Sequence, residues 1–317
     1  MKRYVAAVAA LSFFLAVPSA VSAAPNGLAW DAVMKFAMDA DPSSAQPGSF
    51  DSDFAAASAV QMPDQGSGGG IFGQINRAKG MAAAMQQMMQ SGEAEHHYVA
   101  GSKERTDNLF FQTATITDCS ARTITTLDLR RKTYKVESMD AHSSSAGSGG
   151  SGGSKFSDDG TRVAISVTNT ALGSRDVGGV PTNGYRSDMT LTTTKPSGES
   201  QTEKGNLLGY YSGNASPSVT CWGGGTAAGP GGSAAGMAMM GKYALVMRAL
   251  AAHGMSSRFT FTQSGPPLPT GRLAMFDAMT FGMQGHSVTI SSERGNVRAI
   301  GASDAAFAIP SDFTQQQ

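Results

Sequence analysis

The chain has 317 residues, with 24 basic and 24 acidic side chains and a formal net charge of zero. Charged residues make up 15 % of it, against about 25 % in ordinary soluble proteins, so it lacks the basic field that would attract nucleic acid. Its 39 glycines, among many Ser, Thr and Ala, predict a hydroxyl-rich rather than ionic surface.

Lys2 and Arg3 precede an apolar run from Tyr4 to Val17, followed by Pro18 and the small residues Val21-Ser22-Ala23. The run is 14 residues long, short of the roughly 20 that span a bilayer. The pattern predicts a secretory signal peptide over residues 1–23. Its removal leaves 22 basic against 24 acidic groups. The expected location is the periplasm, with secretion as the alternative and at most peripheral membrane contact. Two cysteines follow, Cys119 and Cys221. In an oxidising compartment such a pair is most simply a disulfide, and two buried thiols are the alternative.

Residues 24–70 read as a poorly ordered extension, with a short helix around Leu28 to Met38 and a Gly/Ser linker at 66–70. From Ile71 to Gln90 the period becomes helical. Ile71, Ile75, Ala78, Ala82, Met85 and Met89 share the predicted buried face, and Ser91-Gly92 ends the helix. The methionines also suit an adaptable binding surface, although a helix packed on its own domain is the commoner case.

A period of two then predicts an antiparallel meander of Ala94–Ala100, Leu109–Thr117, Arg122–Leu129 and Thr133–Glu137. Residues 141–154 are a flexible Ser/Gly insert. Gly149-Gly-Ser-Gly-Gly153 has the letters of a nucleophile elbow, but no strand or helix can flank it there. Val163, Ile165 and Val167 mark a half-buried strand. It leads into Leu172–Tyr185, where Gly178-Gly179 and Asn183-Gly184 are both predicted turns. Tyr185, Met189 and Leu191 alternate as one buried strand face, and Leu207–Tyr211 reads as a further strand.

After a second flexible insert at 223–236, a largely apolar helix is expected over 236–253. Met240, Tyr243, Met247 and Leu250 lie on one of its faces. Phe259 and Phe261 alternate with Thr260 and Thr262 as a strand. Leu273–Phe281 is another strand candidate. His286–Ser292 and Asn296–Ala302 flank Arg294-Gly295 as a predicted hairpin. Phe307, Ile309-Pro310 and Phe313 form a tail expected to dock on the sheet.

Three features in order resemble a family. They are Tyr98–Arg105 with Leu127–Tyr134, the Gly-Val-Pro-Thr-x-Gly-Tyr core of Leu172–Tyr185, and Gly295-x-Val-Arg-x-Ile300 followed by Phe307-Ala-Ile-Pro310. Together they resemble exported bacterial proteins of the DUF4412 type, in the LolA/LolB-like lipoprotein-carrier superfamily. The resemblance spans about residues 93–140, 155–212 and 257–314. It implies an α+β fold over 71–314: a curved antiparallel sheet, an unclosed half barrel, with helices on the concave face. Characterised carriers of that superfamily hold lipoprotein acyl chains in the hollow.

The functional expectation is a non-enzymatic module for an apolar ligand, a lipid or a lipoprotein acyl chain. Met240, Tyr243, Met247, Leu250, Phe259 and Phe261 are the candidate lining. Self-filling of the hollow by these same side chains is the alternative. A structural or protein-interaction role in the envelope, with an envelope protein as partner, is the second reading. An enzyme is the third and weakest. His96 and His97 are adjacent on a strand and so point to opposite faces. Asp158-Asp159 lacks the spaced oxygen ligands of a calcium loop. No catalytic residue, metal ligand or cofactor is nominated.

Overall fold

The computed structural model describes residues 27–39, 45–63, 71–139, 160–215, 259–283 and 286–316. They build one sheet of thirteen strands that does not close on itself. In chain order the strands are β1 (Gly27–Met38), β2 (Glu93–Ala100), β3 (Lys103–Asn108), β4 (Thr113–Asp118), β5 (Thr123–Asp128), β6 (Thr133–Ser138) and β7 (Arg162–Val177). There follow β8 (Val180–Thr194), β9 (Ser200–Ser212), β10 (Phe259–Ser264), β11 (Ala274–Met283), β12 (His286–Ile300) and β13 (Thr314–Gln315). Helices α1 (Phe50–Ser58) and α2 (Ile71–Ser91) and a 3-10 turn at Ala305–Phe307 complete the described elements.

The spatial order is β10-β7-β8-β9-β11-β12-β1-β2-β3-β4-β5-β6-β13. The sheet is mixed rather than wholly antiparallel, because β10 runs parallel to β7 and β13 parallel to β6 at its two ends. The α+β class expected from the sequence thus takes the form of a large unclosed sheet with helices packed against it.

The largest departure from expectation is β1. A helix was expected at Leu28–Met38, inside a poorly ordered extension. The segment is instead a strand at the middle of the sheet, between β12 and β2. Ala29 through Met34 are buried without alternation, so both faces of this strand are covered. A continuous apolar run of this kind has no period of two and cannot be told from a buried helix by pattern alone.

The meander β2–β6 keeps a spacing of ten residues. A four-residue connection separates each pair of six-residue strands from β3 to β6. Each connection is held by the residue before it. Asn108 Oδ1 accepts from Phe111 N at 2.9 Å, Asp118 Oδ1 from Ala121 N at 3.1 Å, and Asp128 Oδ1 from Arg131 N at 2.8 Å. Side-chain acceptors in these places favour turns over strand continuation. The last residue of each connection, Gln112, Arg122 and Lys132, has φ of 55°, 55° and 53°. The expected strand Leu109–Thr117 is therefore corrected: Leu109–Gln112 is a turn, and the polar run Lys103–Asn108 is a strand that alternation of apolar residues did not mark.

The Leu172–Tyr185 module makes one turn, not two. Gly178 and Gly179 have φ of 59° and 76°, the paired positive values of a tight two-residue hairpin, and Asp176 Oδ1 accepts from Gly179 N at 2.9 Å. Asn183-Gly184 does not turn. It lies inside β8, paired with Tyr211 and Tyr210. A Cβ at Gly184 would lie 2.6 Å from the Tyr210 ring, so this glycine serves close approach rather than reversal. The predicted hairpin at Arg294-Gly295 is corrected in the same way. β12 runs through unbroken, with an irregularity opposite Ala29/Asp31 and Asn296 at φ 52°, the geometry of a bulge.

One face of the sheet carries both helices. Phe50 packs with Val33, Ala57 and Ala94, and Phe54 joins that group. Lys35 Nζ lies 2.5 Å from Asp53 Oδ2. The helix α2 matches its predicted span, but its buried face is rotated from expectation. Ala84 and Met88 are buried with Val60 and Phe110, whereas Met81, Met85 and Met89 are 38 %, 41 % and 45 % exposed. The tail docks on this same face as expected. Phe307 packs with Ala29, Ala100 and Ile300, and Ile309 and Phe313 pack on Ala114, Ile116 and Leu127. Arg105 Nη1 donates to Ala306 O at 2.6 Å.

Gly295 is the seat of α1: a Cβ there would lie 2.3 Å from the Phe50 ring. Overpacking of this kind costs about 1–3 kcal/mol. Gly295→Ala is expected to lower unfolding free energy by that amount in urea titration, with Phe50→Leu in the same background restoring part of it. A variant as stable as the wild type would show that Phe50 does not depend on this gap.

Candidate functional site

Strand register sorts the side chains of the opposite face. Trp30 and Ala32 of β1 sit beside His97 and Glu95 of β2, and Met34 beside Glu93. His97 pairs with Thr106 of β3, Glu95 with Asn108, and Val99 with Glu104. Across β1, Ala32 and Met34 face Arg294 and Ser292 of β12, and Ser292 faces Asp277 of β11. These residues form a continuous seam across five central strands.

The seam is mixed: Trp30, Ala32 and Val99 belong to an apolar cluster with Val177, Tyr210, Leu273 and Met275, Glu93, Glu95, His97 and Arg294 are buried polar residues, and Glu104, Thr106 and Asn108 are half-buried. The Trp30 and His97 rings stack at 5.1 Å between centroids and 9° between planes. One imidazole nitrogen of His97, Nε2, lies 3.0 Å from Glu95 Oε2, and the other, Nδ1, lies 3.3 Å from Thr106 Oγ1. Asn108 Nδ2 donates to Glu93 Oε1, and its contact with Glu95 Oε1 is 3.4 Å. Arg294 Nη1 donates to Asp277 Oδ2 at 2.8 Å and to Ala274 O at 2.7 Å. Truncating one partner of such a buried ion pair strands the other charge.

Burial pushes the Glu104 carboxyl above its ordinary range, against the opposing pull of His97. Burial also raises Glu93, aided by the like charge of Glu95 and opposed by the Asn108 hydrogen bond. At Glu93 and Glu104 burial thus works against the charged form of the carboxyl.

His96 points the other way, as adjacent residues on a strand must. Its Nδ1 lies 2.6 Å from Asp31 Oδ1, and Asn296 Nδ2 donates to Asp31 Oδ2 at 2.8 Å. Burial alone would raise Asp31. The hydrogen bonds from His96 and Asn296, with the charges of His96 and Arg298, outweigh it and hold the carboxyl below its ordinary value. The expected separation of the two histidines is therefore observed, and it assigns one to each face.

Beyond the seam, the same face becomes apolar over β7, β8, β9 and β11. Val163, Ile165 and Leu191 form a buried cluster with Val167 against it. Met189, Leu207 and Met279 continue it in register and are also buried.

Of the sequence-predicted ligand residues, Met240, Tyr243, Met247 and Leu250 lie outside the described residues, as do the expected helix 236–253 and both flexible inserts. Phe259 and Phe261 lie on the edge strand β10, in register with Val163 and Ile165. Phe261 is 52 % exposed. Cys119 begins the β4–β5 connection, donating its N–H to Ser102 O at 2.9 Å, and Cys221 lies outside the described residues. The seam was missed because its residues come from distant parts of the chain. The alternation of Glu93, Glu95 and His97 on one strand parity was the available signal.

Among the described residues, no group of His, Cys, Asp and Glu could hold a metal ion, and no helix is long and apolar enough to cross a membrane. No known family profile matches the chain, and no curated protein is significantly similar to it.

A raised carboxylate binds its proton more tightly in the folded state than in the unfolded one. Stability therefore falls as pH rises from the ordinary glutamate range through the raised value. Glu104→Gln, which mimics the protonated form, is expected to raise the melting temperature at pH 7–8, the gain disappearing below about pH 4. A gain of equal size at both pH values would show that Glu104 is not strained by its charge.

Proposed function

We propose that the protein is an exported, non-enzymatic binding module for an apolar ligand, a lipid or lipoprotein acyl chain, working in the bacterial envelope as a LolA-like half barrel of the DUF4412 type. The observation that carries this reading is the apolar stretch Val163, Ile165, Leu191, Met189, Leu207 and Met279 on the sheet face away from α1 and α2. A ligand held there needs dispersion contacts and exclusion of water, not reacting groups. The unclosed sheet, with distinct chemistry on its two faces, suits a carrier better than a catalyst.

Each methylene of a buried acyl chain contributes about 0.8 kcal/mol. Lengthening a chain by two carbons should then tighten the dissociation constant roughly tenfold, read by displacement of a hydrophobic dye from the mature protein. Failure of every acyl compound to compete at high micromolar concentration ends this reading.

A second reading, a protein-interaction role in the envelope, is favoured by the exposed methionine stripe Met81, Met85 and Met89, which recurs every four residues along α2. Such a stripe suits a helix-in-groove or helix-on-surface contact. Co-purification of one protein partner, lost in Met85→Glu, without extractable lipid would select it.

The proposed Cys119–Cys221 bridge has its own check. Under denaturing conditions without reductant, thiol titration should find no reactive sulfur, and two after reduction. Two before reduction rule the bridge out.

A further inference from the structure

We propose that α2 seats the protein on an anionic lipid surface, laying Ala78, Met81, Ala82, Met85 and Met89 against the acyl boundary with Lys79 among the phosphates. This rests on the apolar-ligand reading and deepens it, by naming where a carrier meets the membrane that holds its ligand.

The first argument is which side of α2 is covered. In the sequence, a period of 3.6 residues sets Ile71, Ile75, Ala78, Ala82, Met85 and Met89 on the apolar side of the helix. Of these, Ala78, Ala82, Met85 and Met89 are all exposed in the fold, and so is Met81. The domain holds α2 by a different and narrower strip, Ala84 and Met88, which pack with Val60 and Phe110. At about 100° per residue, the five exposed apolar residues occupy roughly a quarter of the circumference. A surface helix ordinarily turns its apolar side to the core. Here that side faces outward.

The second argument is charge. The 21 residues of α2 include Arg77 and Lys79 and no acidic side chain, in a chain that carries as many acids as bases. Lys79 is exposed, and helical register sets it about 60° beyond Ala82, at the margin of the apolar face. Gln86 and Gln90, also exposed, continue that margin. An apolar helix face with a basic flank is the pattern of helices that lie in the plane of a membrane surface. Near anionic head groups each Lys or Arg strengthens such binding about fivefold.

The third argument concerns the partner. The face offers area without shape. It has no Trp, Tyr or Arg, the residues that anchor protein interfaces, and its flexible thioethers conform readily to a fluid surface. A helix fixed to its domain along Ala84 and Met88 lies on a plane without rearrangement. These points favour lipid over the protein contact considered above.

The test is co-sedimentation of the mature chain with vesicles of phosphatidylcholine alone and of phosphatidylcholine with about one-third phosphatidylglycerol. Binding to the anionic vesicles is expected to be about tenfold tighter. Lys79→Glu should weaken it by about fivefold or more on the anionic vesicles only. Met85→Glu should weaken binding to both, and Met85→Leu should keep it. All three variants should retain the wild-type circular dichroism and acyl-chain displacement of a hydrophobic dye. Equal binding to the two vesicles, or glutamate variants that bind as the wild type does, overturns the docking surface and leaves acyl binding standing. A co-purifying protein lost in Met85→Glu while vesicle binding is unchanged gives the face to a protein partner and overturns the lipid assignment. Absence of both vesicle binding and acyl competition overturns this proposal together with the reading it rests on. The wild-type comparison decides even if a substitution unfolds the chain.

Discussion

The structure depends on a single strand being buried on both faces. β1 joins the strands that follow it directly, β2 to β6, to the group that ends with β12. Gly27 lies opposite Ala100 on one side and Ile300 on the other. Closing the second of these pairings brings together segments more than 250 residues apart in the chain. Its entropic cost grows only slowly with separation, but it makes the central contact slow to form. Everything packed above β1, from Phe50 and α1 to Phe307, depends on that contact.

The two faces of β1 do different work. On the helix side, Val33 anchors Phe50, and the tail closes over Ala29. Ionic pairs there are satisfied, with Asp31 held by both His96 and Asn296. On the other side, Trp30 stacks on His97 and packs in an apolar cluster with Val99, Val177, Tyr210 and Met275, while its indole N–H has no acceptor among the described residues. Folded proteins rarely bury polar groups in this condition without a reason. Departures from good local satisfaction tend to mark functional surfaces.

Much of the fold was legible in the sequence because its signals are local. The α2 helix, the strands around Val163, Tyr185 and Leu207, and the docking tail follow from periodicity and from Gly178-Gly179. Three things were not legible. β1 has no alternation, since both its faces are covered. β3 is Lys-Glu-Arg-Thr-Asp-Asn, a run whose strand character comes from its neighbours and from turn acceptors at Asn108, Asp118 and Asp128 rather than from apolar residues. Two glycines at predicted reversals, Gly184 and Gly295, answer instead to the aromatic rings of Tyr210 and Phe50, partners that sequence spacing does not reveal. The seam was hidden for the same reason: only the register of β1 with β2 and β12 brings Trp30, His97 and Arg294 onto one surface.

The two ends of the sheet are unequal. At one margin, β6 carries Lys135 and Glu137 in a salt bridge and is partly covered by the two-residue β13. At the other, the last strand among the described residues is β10, Phe-Thr-Phe-Thr-Gln-Ser, with no charged residue. Charge and brevity protect a margin from adding strands of other chains, whereas an uncharged aromatic one invites them. Self-association at high concentration should therefore begin from the β10 side, and a lysine in place of Thr260 or Thr262 is the natural way to improve solubility without touching either face's interior.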